Sequence, residues 1–532
     1  MPWRACLGLV YVLACAALLI GPLLAFLIGT ARGGAFADFT APNAAEQERL
    51  TGLFWVNVRI ALGATTLAVL CGVTVALSIH RARGAWRKIL AAVYPLPLLL
   101  PPTVVTIAWT HLIGKRGLAA MLWRDWTGAE QLPFSMYGEA GSAWVLGLCF
   151  FPLVTMSTLV GLRAVGPTST LAARVHASPW RRWWGIDTPL LLPYVSAGAI
   201  CVAWLSIGDF EVPPVLLLNT YTLQIYAAIK SFELAKALLL CLPLLGATAL
   251  ILGLRQLLVR GSAEATLDDH WRAQTAPPDP VRGGRLLPVA ALAVLLLAVL
   301  APVASLAHQS TGWPKLRLGL QTAGGQVWNS FETALGAAAL ALVVGAPYAW
   351  LLATRRGLIR AALALLACVP LAIPGTIHGL AWSEALQLTP WGRELLTAPV
   401  VVSLAAAARF FPLSVFLLAA AFAGLHPGLD AAARVAGAGL VRRGWTIHLP
   451  LLYPGLLAAF AIVYALAVGE LACSILINPV GFMTLPVRLS SLLHFGQDEL
   501  LAALCLVQIF MSWIPYLAAA ALLERVLEVK LG

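Results

Sequence analysis

The sequence predicts an all-α integral membrane protein of about twelve transmembrane helices, arranged as two six-span repeats in the same orientation. Three observations carry this expectation. The 532 residues are 60% hydrophobic and 11% charged, with a mean hydropathy of +0.87, too little charge to cover a soluble surface of that size. The apolar residues fall in blocks, such as Leu286 to Ala307 and Leu456 to Ile477, that reach the roughly 20 residues needed to cross a bilayer. Short runs of residues also recur in order at nearly constant offsets.

Blocks and breaks place the first six spans near 5–29, 53–79, 88–112, 141–163, 190–212 and 234–257. The second six lie near 286–307, 327–353, 361–386, 398–423, 451–475 and 498–523. Backbone groups in hydrocarbon must be satisfied within their own segment, so these blocks are expected to be helices. The alternation of a membrane barrel is absent. The first block follows one Arg and is longer than a signal-peptide core, which predicts an uncleaved span; Ala35-Phe36-Ala37 is the alternative, a cleavage site.

Net charge is +12, and the basic residues sit between the spans unevenly. With the N-terminus inside, the inner loops collect Arg81, Arg83, Arg87 and Lys88, then Arg174, Arg181 and Arg182, then Arg355, Arg356 and Arg360, then Arg434, Arg442 and Arg443. The outer loops hold fewer, mixed with Asp125, Glu130 and Glu139. This positive-inside pattern predicts a multi-pass membrane protein with both termini cytoplasmic. No basic stripe is interleaved with exposed aromatics, which argues against nucleic acid as a partner. The nine cysteines lie almost entirely in apolar blocks without CxxC spacing, so neither a zinc site nor a disulfide framework is indicated. His111 and His378 have no neighbouring ligand cluster, and no metal or cofactor is expected.

The internal repeat is the strongest sequence signal. Gly63, Arg83, Gly84, Pro101 and Trp109 recur as Gly336, Arg356, Gly357, Pro374 and Trp382. Phe150-Phe151-Pro152-Leu153 recurs as Phe410-Phe411-Pro412-Leu413, and Ala172-Ala173-Arg174-Val175 as Ala432-Ala433-Arg434-Val435. Gly208-Asp209 matches Gly469-Glu470. The reading is a first repeat over 1–258, a polar, Pro-rich cytoplasmic linker over 259–285 and a second repeat over 286–532.

Two inner loops are long and equivalent, 164–190 and 424–450, between the fourth and fifth spans of each repeat. Each reads as an Ala-rich helix, a tight break, a short basic amphipathic helix and a Pro stop, at Pro189 and at Pro450. A connecting loop needs none of this; a loop that presents a rigid helix to a cytoplasmic partner does. The pattern resembles the EAA loop of binding-protein-dependent ABC importer permeases: Glu-Ala-Ala, three residues, Gly, nine residues, Ile, one residue, Leu-Pro. Ala432, Ala433, Gly437, Ile447, Leu449 and Pro450 fall on it, while Ala431 stands where the Glu belongs. The first copy departs further: His176 takes the Gly place and Thr188 the Leu place.

The resemblance implies the type I importer permease fold. It also implies that Ala172, Ala173, His176, Ala177 and Pro189 in one loop, and Ala432, Ala433, Gly437, Ala438 and Pro450 in the other, couple to two copies of a cytoplasmic ATPase. A membrane-surface helix whose arginines meet anionic lipid is the competing reading of these loops. The chain contains no Gly-x-x-x-x-Gly-Lys-Ser/Thr phosphate loop, so the motor is expected on a partner chain and this chain is expected not to be an enzyme. Outer stretches around 114–140, 308–326 and 476–496 are the expected docking surface for a periplasmic solute-binding protein. The alternative is a twelve-span ion-coupled secondary transporter.

Asp209 and Glu470 are ionisable residues in apolar spans, expected either at the transport pathway as a gate or cation site, or satisfied in a pair. Pro101-Pro102-Thr103 and Pro374-Gly375-Thr376 mark matched weak points in the third and ninth spans, expected as gates or as packing kinks. A single chain fusing two six-span halves is similar to permeases for ferric iron and for thiamine. The two acids suit a cation, and ferric iron is the substrate expected first, thiamine or another small cation next.

Overall fold

The computed structural model describes residues 2–32, 43–115, 117–129, 132–164, 181, 183–259, 286–425, 427–495 and 498–529. Among them there is no strand, and ten helices are long and apolar enough to cross a membrane, or up to twelve if each of two bent pairs is one span. The first, second, fourth, fifth and sixth spans are Pro2–Arg32, Ala44–Arg81, Glu139–Ala164, Thr188–Ile207 and Leu234–Val259. The seventh runs over Leu286–Gln309; the eighth, tenth, eleventh and twelfth are Trp313–Thr354, Val400–Ala423, Leu449–Val468 and Asp498–Val529.

The third and ninth spans are not straight. Gly84–Leu99 meets Pro102–Thr127 at 97°, and Gly357–Leu371 meets Gly375–Gln387 at 94°. Both breaks fall at the repeated proline, Pro101 and Pro374, which is the N-cap of the helix after the break. Proline has no N–H to continue the helix before it, and its fixed φ suits the start of the next.

Three stretches expected as outer loops are substantially helical. The eighth span begins at Trp313 and is 42 residues long, about 63 Å against a hydrocarbon core of about 30 Å. Leu118–Thr127 and Leu485–Phe495 form helices in the other two. The linker over 260–285 lies outside the described residues.

The chain forms two compact units, one of residues 40–309 and one of 1–39 with 310–532. The units do not follow the sequence repeats, because the first span of each repeat packs among helices of the other. In the unit holding 310–532, Cys15 and Leu19 enter a buried cluster with Tyr348, Leu352, Phe411 and Val415, and the Tyr11 hydroxyl donates to the Val344 carbonyl. In the other unit, the Ser78 hydroxyl donates to Leu287 O at 3.0 Å and Ser305 to Ala108 O at 2.9 Å, which seats the seventh span.

The centre of each unit is a close crossing of matched spans, the second on the fourth and the eighth on the tenth. Small residues meet at equivalent places, Gly63 against Ala143 and Gly336 against Ser403. Thr155 donates to Gly72 O at 3.1 Å in one crossing, and Ser414 to Ala341 O at 3.0 Å in the other. Helices in lipid gain little from burying apolar surface against each other, so close backbone approach and interhelical hydrogen bonds hold such crossings.

Candidate functional site

The second elbow is described almost throughout. Its Ala-rich helix, Pro427–Val435, ends at Gly437, whose φ is +75°. Gly437 N–H donates to Arg434 O at 3.0 Å and Ala438 N–H to Ala433 O at 2.9 Å. This is a Schellman end, in which a left-handed residue turns two N–H groups back onto the last turn. The glycine of the loop pattern is therefore the residue that ends the helix, because a side chain there would be strained.

The chain then re-enters a short helix, Leu440–Arg443, and a wide turn, Gly444–His448, before the eleventh span. Pro450 lies in the first turn of the eleventh span, at the span start expected for it, but the stop expected before it is absent, because the preceding turn runs directly into the span. At that position the missing proline N–H is not needed, and the wide turn preceding it lets the basic helix run into the membrane helix. Pro189 is placed the same way, after a wide turn at Trp183–Asp187. The elbow and the eleventh span thereby form a nearly continuous helix.

The elbow presents an apolar surface. Val435 is 91% exposed, Val441 75% and Trp445 70%. Val441 and Trp445 are four residues apart, which puts them on neighbouring turns. Ala432 is exposed, and Ala433 and Ala438 are half-buried, with Arg434 and Arg442 exposed nearby. Ala172, Ala173, His176 and Ala177 of the first elbow lie outside the described residues.

Asp209 and Glu470 do the same local work in their own units. Asp209 Oδ1 accepts Val212 N–H at 2.9 Å, and Glu470 Oε1 accepts Cys473 N–H at 2.8 Å. Each acid thus caps the short turn that follows its span. Asp209 is half-buried, whereas Glu470 is 7% exposed.

The environments then diverge. Glu470 Oε2 lies 3.1 Å from Nε of Arg409, in the middle of the tenth span. The approach is an ion pair outside hydrogen-bond alignment, and the guanidinium also sits 5.9 Å above the Phe410 ring. It lies directly against Gly375 at the break of the ninth span, where an added Cβ would meet both Arg409 and, at 2.5 Å, the Cβ of Ala472. His378, one turn beyond the break, is buried with Nε2 3.1 Å from Ala405 O.

In the first repeat the same three elements meet around other residues. Thr103, just past the break at Pro101, donates to Glu211 Oε2 at 2.5 Å. The place of Arg409 is taken by Cys149, buried and within electrostatic reach of Asp209. Sequence reasoning singled out both breaks and both acids but not Arg409. The signal was present, since an arginine in the middle of an apolar run needs a partner.

Comparison with known proteins adds the family. No family model matches the chain. The molybdenum transport system permease protein ModB of Escherichia coli K12 is 32% identical over 166 residues, which is 30% of this chain and 71% of that protein. ModB of Mycobacterium tuberculosis H37Rv is 33% identical over 158 residues; the match spans 29% of this chain and 57% of the relative's length. The thiamine transport system permease protein ThiP of Brucella abortus 2308 is 27% identical over 477 residues, 84% of each chain. One relative matches a single stretch and another runs the length of both repeats, over an all-helical chain with an elbow ahead of the eleventh span: the chain belongs to the ABC importer permeases, as a fused, two-repeat member.

Proposed function

We propose that this chain is the transmembrane subunit of an importer in a bacterial inner membrane, with both termini cytoplasmic, and that a separate ATPase drives it. ATP hydrolysis belongs to that partner, present twice, one copy on each elbow. The observation that carries this reading is the second elbow: a rigid, glycine-terminated helix followed by exposed Val441 and Trp445, leading into the eleventh span. An apolar surface of this kind calls for a partner, and the continuous helix behind it gives that partner a lever. A periplasmic binding protein delivers the solute and holds most of the specificity.

The solute is a small cation, thiamine ahead of ferric iron. The thiamine permease is the relative that aligns along both repeats, whereas the molybdenum permeases align with about a third of the chain or less. Glu211, hydrogen-bonded to Thr103 at the break of the third span, and Asp209, at the end of the fifth, are both half-buried and favour a cation over an oxyanion. The test is uptake by vesicles holding this permease with its ATPase and binding protein. Thiamine is expected to stimulate ATP hydrolysis and to accumulate; stimulation by molybdate and not by thiamine overturns the cation reading. Gly437→Asp with Arg442→Glu and Arg443→Glu is expected to release the ATPase, and retention of coupled hydrolysis overturns the docking reading.

A further inference from the structure

Each unit has a tight turn that carries the chain from its longest helix into its broken span. Arg83 is extended (φ −129°, ψ 160°) and Gly84 left-handed (φ +57°); Arg356 (φ −127°, ψ 166°) and Gly357 (φ +59°) repeat the pair. A Cβ at either glycine would meet nothing, so glycine is required there by conformation and not by space. The turns display cations. Arg81, Arg83 and Arg87 in one unit, and Arg355, Arg356 and Arg360 in the other, are exposed. Among the described residues none of the six has an acidic partner.

Exposed apolar side chains adjoin the arginines. Trp86 and Ile89 are 60% and 50% exposed on neighbouring turns of Gly84–Val93, a helix in which Leu90 alone is buried. In the other unit the exposed residues Leu358, Ala362 and Leu365 fall at i, i+4 and i+7, on one face of Gly357–Ala372. Leu365 lies about 12 Å along the axis from Gly357, inside the span. A water-soluble partner seated on the arginines could not follow the apolar face to that depth, whereas an acyl chain runs along it. Trp86 beside the basic cluster fits the same boundary, since indole rings settle at the headgroup level.

We infer that each Arg-Gly turn is a binding site for an anionic phospholipid, whose phosphate the arginines hold and whose acyl chain lies along the exposed apolar face behind them. Guanidinium groups pair with phosphate oxygens in a fixed fork, and clustered arginines at a membrane surface attract anionic headgroups. In the unit of 40–309 the lipid supplies packing that the protein does not, because so little of Gly84–Val93 is buried. The site is independent of which solute is carried.

The test places the whole chain in phosphatidylcholine nanodiscs with a trace of a photoactivatable lipid, its diazirine in the upper part of an acyl chain. The headgroup of that probe is either phosphatidylglycerol or phosphatidylcholine, and labelled peptides are mapped by mass spectrometry. Labelling over 84–93 and 357–365 is expected to be about tenfold greater with the phosphatidylglycerol probe. Arg81→Gln with Arg83→Gln and Arg87→Gln is expected to bring the first site to parity and leave the second unchanged. Arg355→Gln with Arg356→Gln and Arg360→Gln should do the reverse, so that each variant carries its own control for folding. Equal labelling by the two probes, or a preference that survives loss of the arginines, overturns the inference. Loss of labelling when the ATPase subunit is added assigns the surface to that protein and overturns it as well. Preference unchanged by the ATPase supports the lipid site.

Discussion

The two junctions, each of a broken span, the span that follows it and an acid-capped turn, descend from one repeated unit and solve the same geometric problem with different chemistry. Both keep a proline-led break, an acid that caps the next turn, and a close crossing of the second and fourth spans of the repeat. What changed is where the acid's charge is answered. Glu470 is one methylene longer than Asp209, which lets one carboxylate oxygen cap the turn while the other reaches Arg409. The side chains differ in bulk as well, a long arginine beside Gly375 and Ala472 in one unit and a short cysteine matched with Pro102 and Glu211 in the other. The lesson is that pseudo-symmetry in the backbone does not imply equal energetics in the two units.

The largest effect should come from leaving Glu470 buried with no countercharge. Arg409→Ala is expected to destabilise the folded chain by about 3–5 kcal/mol, the usual cost of removing one partner from a buried pair. Cys149→Ala, at the matched position, is expected to cost about 1 kcal/mol, as for a small trimming of a packed side chain. Thermal denaturation of the two purified proteins in the same detergent measures the difference. Equal losses would show that the ion pair does not distinguish the units.

A smaller effect is expected at the break itself. Gly375→Ala adds a Cβ against the Arg409 guanidinium and 2.5 Å from the Ala472 Cβ, and should cost about 1–3 kcal/mol through overpacking. Shortening the neighbour, in Arg409→Cys with Glu470→Gln, should reduce the penalty of the alanine by making room for it. The coupling is read from the double-mutant cycle, since contacting residues are not additive. An additive result would place the crowding elsewhere and separate the arginine from the break.

Much of this architecture was legible in the sequence, because membrane helices leave few choices. Apolar blocks gave the spans, and the repeated Pro101-Pro102 and Pro374-Gly375 gave the two breaks, whereas lone prolines such as Pro152 and Pro412 stay inside their helices. Gly437 announced the elbow's helix end. Other features were not legible for physical reasons. That the first span of each repeat packs among the other repeat's helices depends on which apolar faces fit, and leucine-rich blocks carry little information about their partners. The 42-residue eighth span was hidden because its polar outer turns look like a loop to a hydropathy rule. Pro450 marks the start of the eleventh span in the sequence, but the wide turn that joins the basic helix to it without a stop has no signature there. Arg409 could have been found, but its partner could not, because the pairing joins residues 61 positions apart across two spans.

The smallest effect should be at the first-repeat junction. Thr103→Val removes the hydroxyl that donates to Glu211 Oε2 at 2.5 Å and keeps the shape of the side chain. Interhelical hydrogen bonds of this kind in membrane proteins are worth about 0.6 kcal/mol on average, because either partner finds another when released. Thermal stability should therefore barely change. If instead Thr103→Val destabilises the chain as much as Arg409→Ala, the first junction is as firmly held as the second, and the contrast between the two units fails at its source. A near-silent Thr103→Val beside a severe Arg409→Ala would locate the stiffness of the chain in one unit, where a guanidinium with no easy alternative partner holds three segments together.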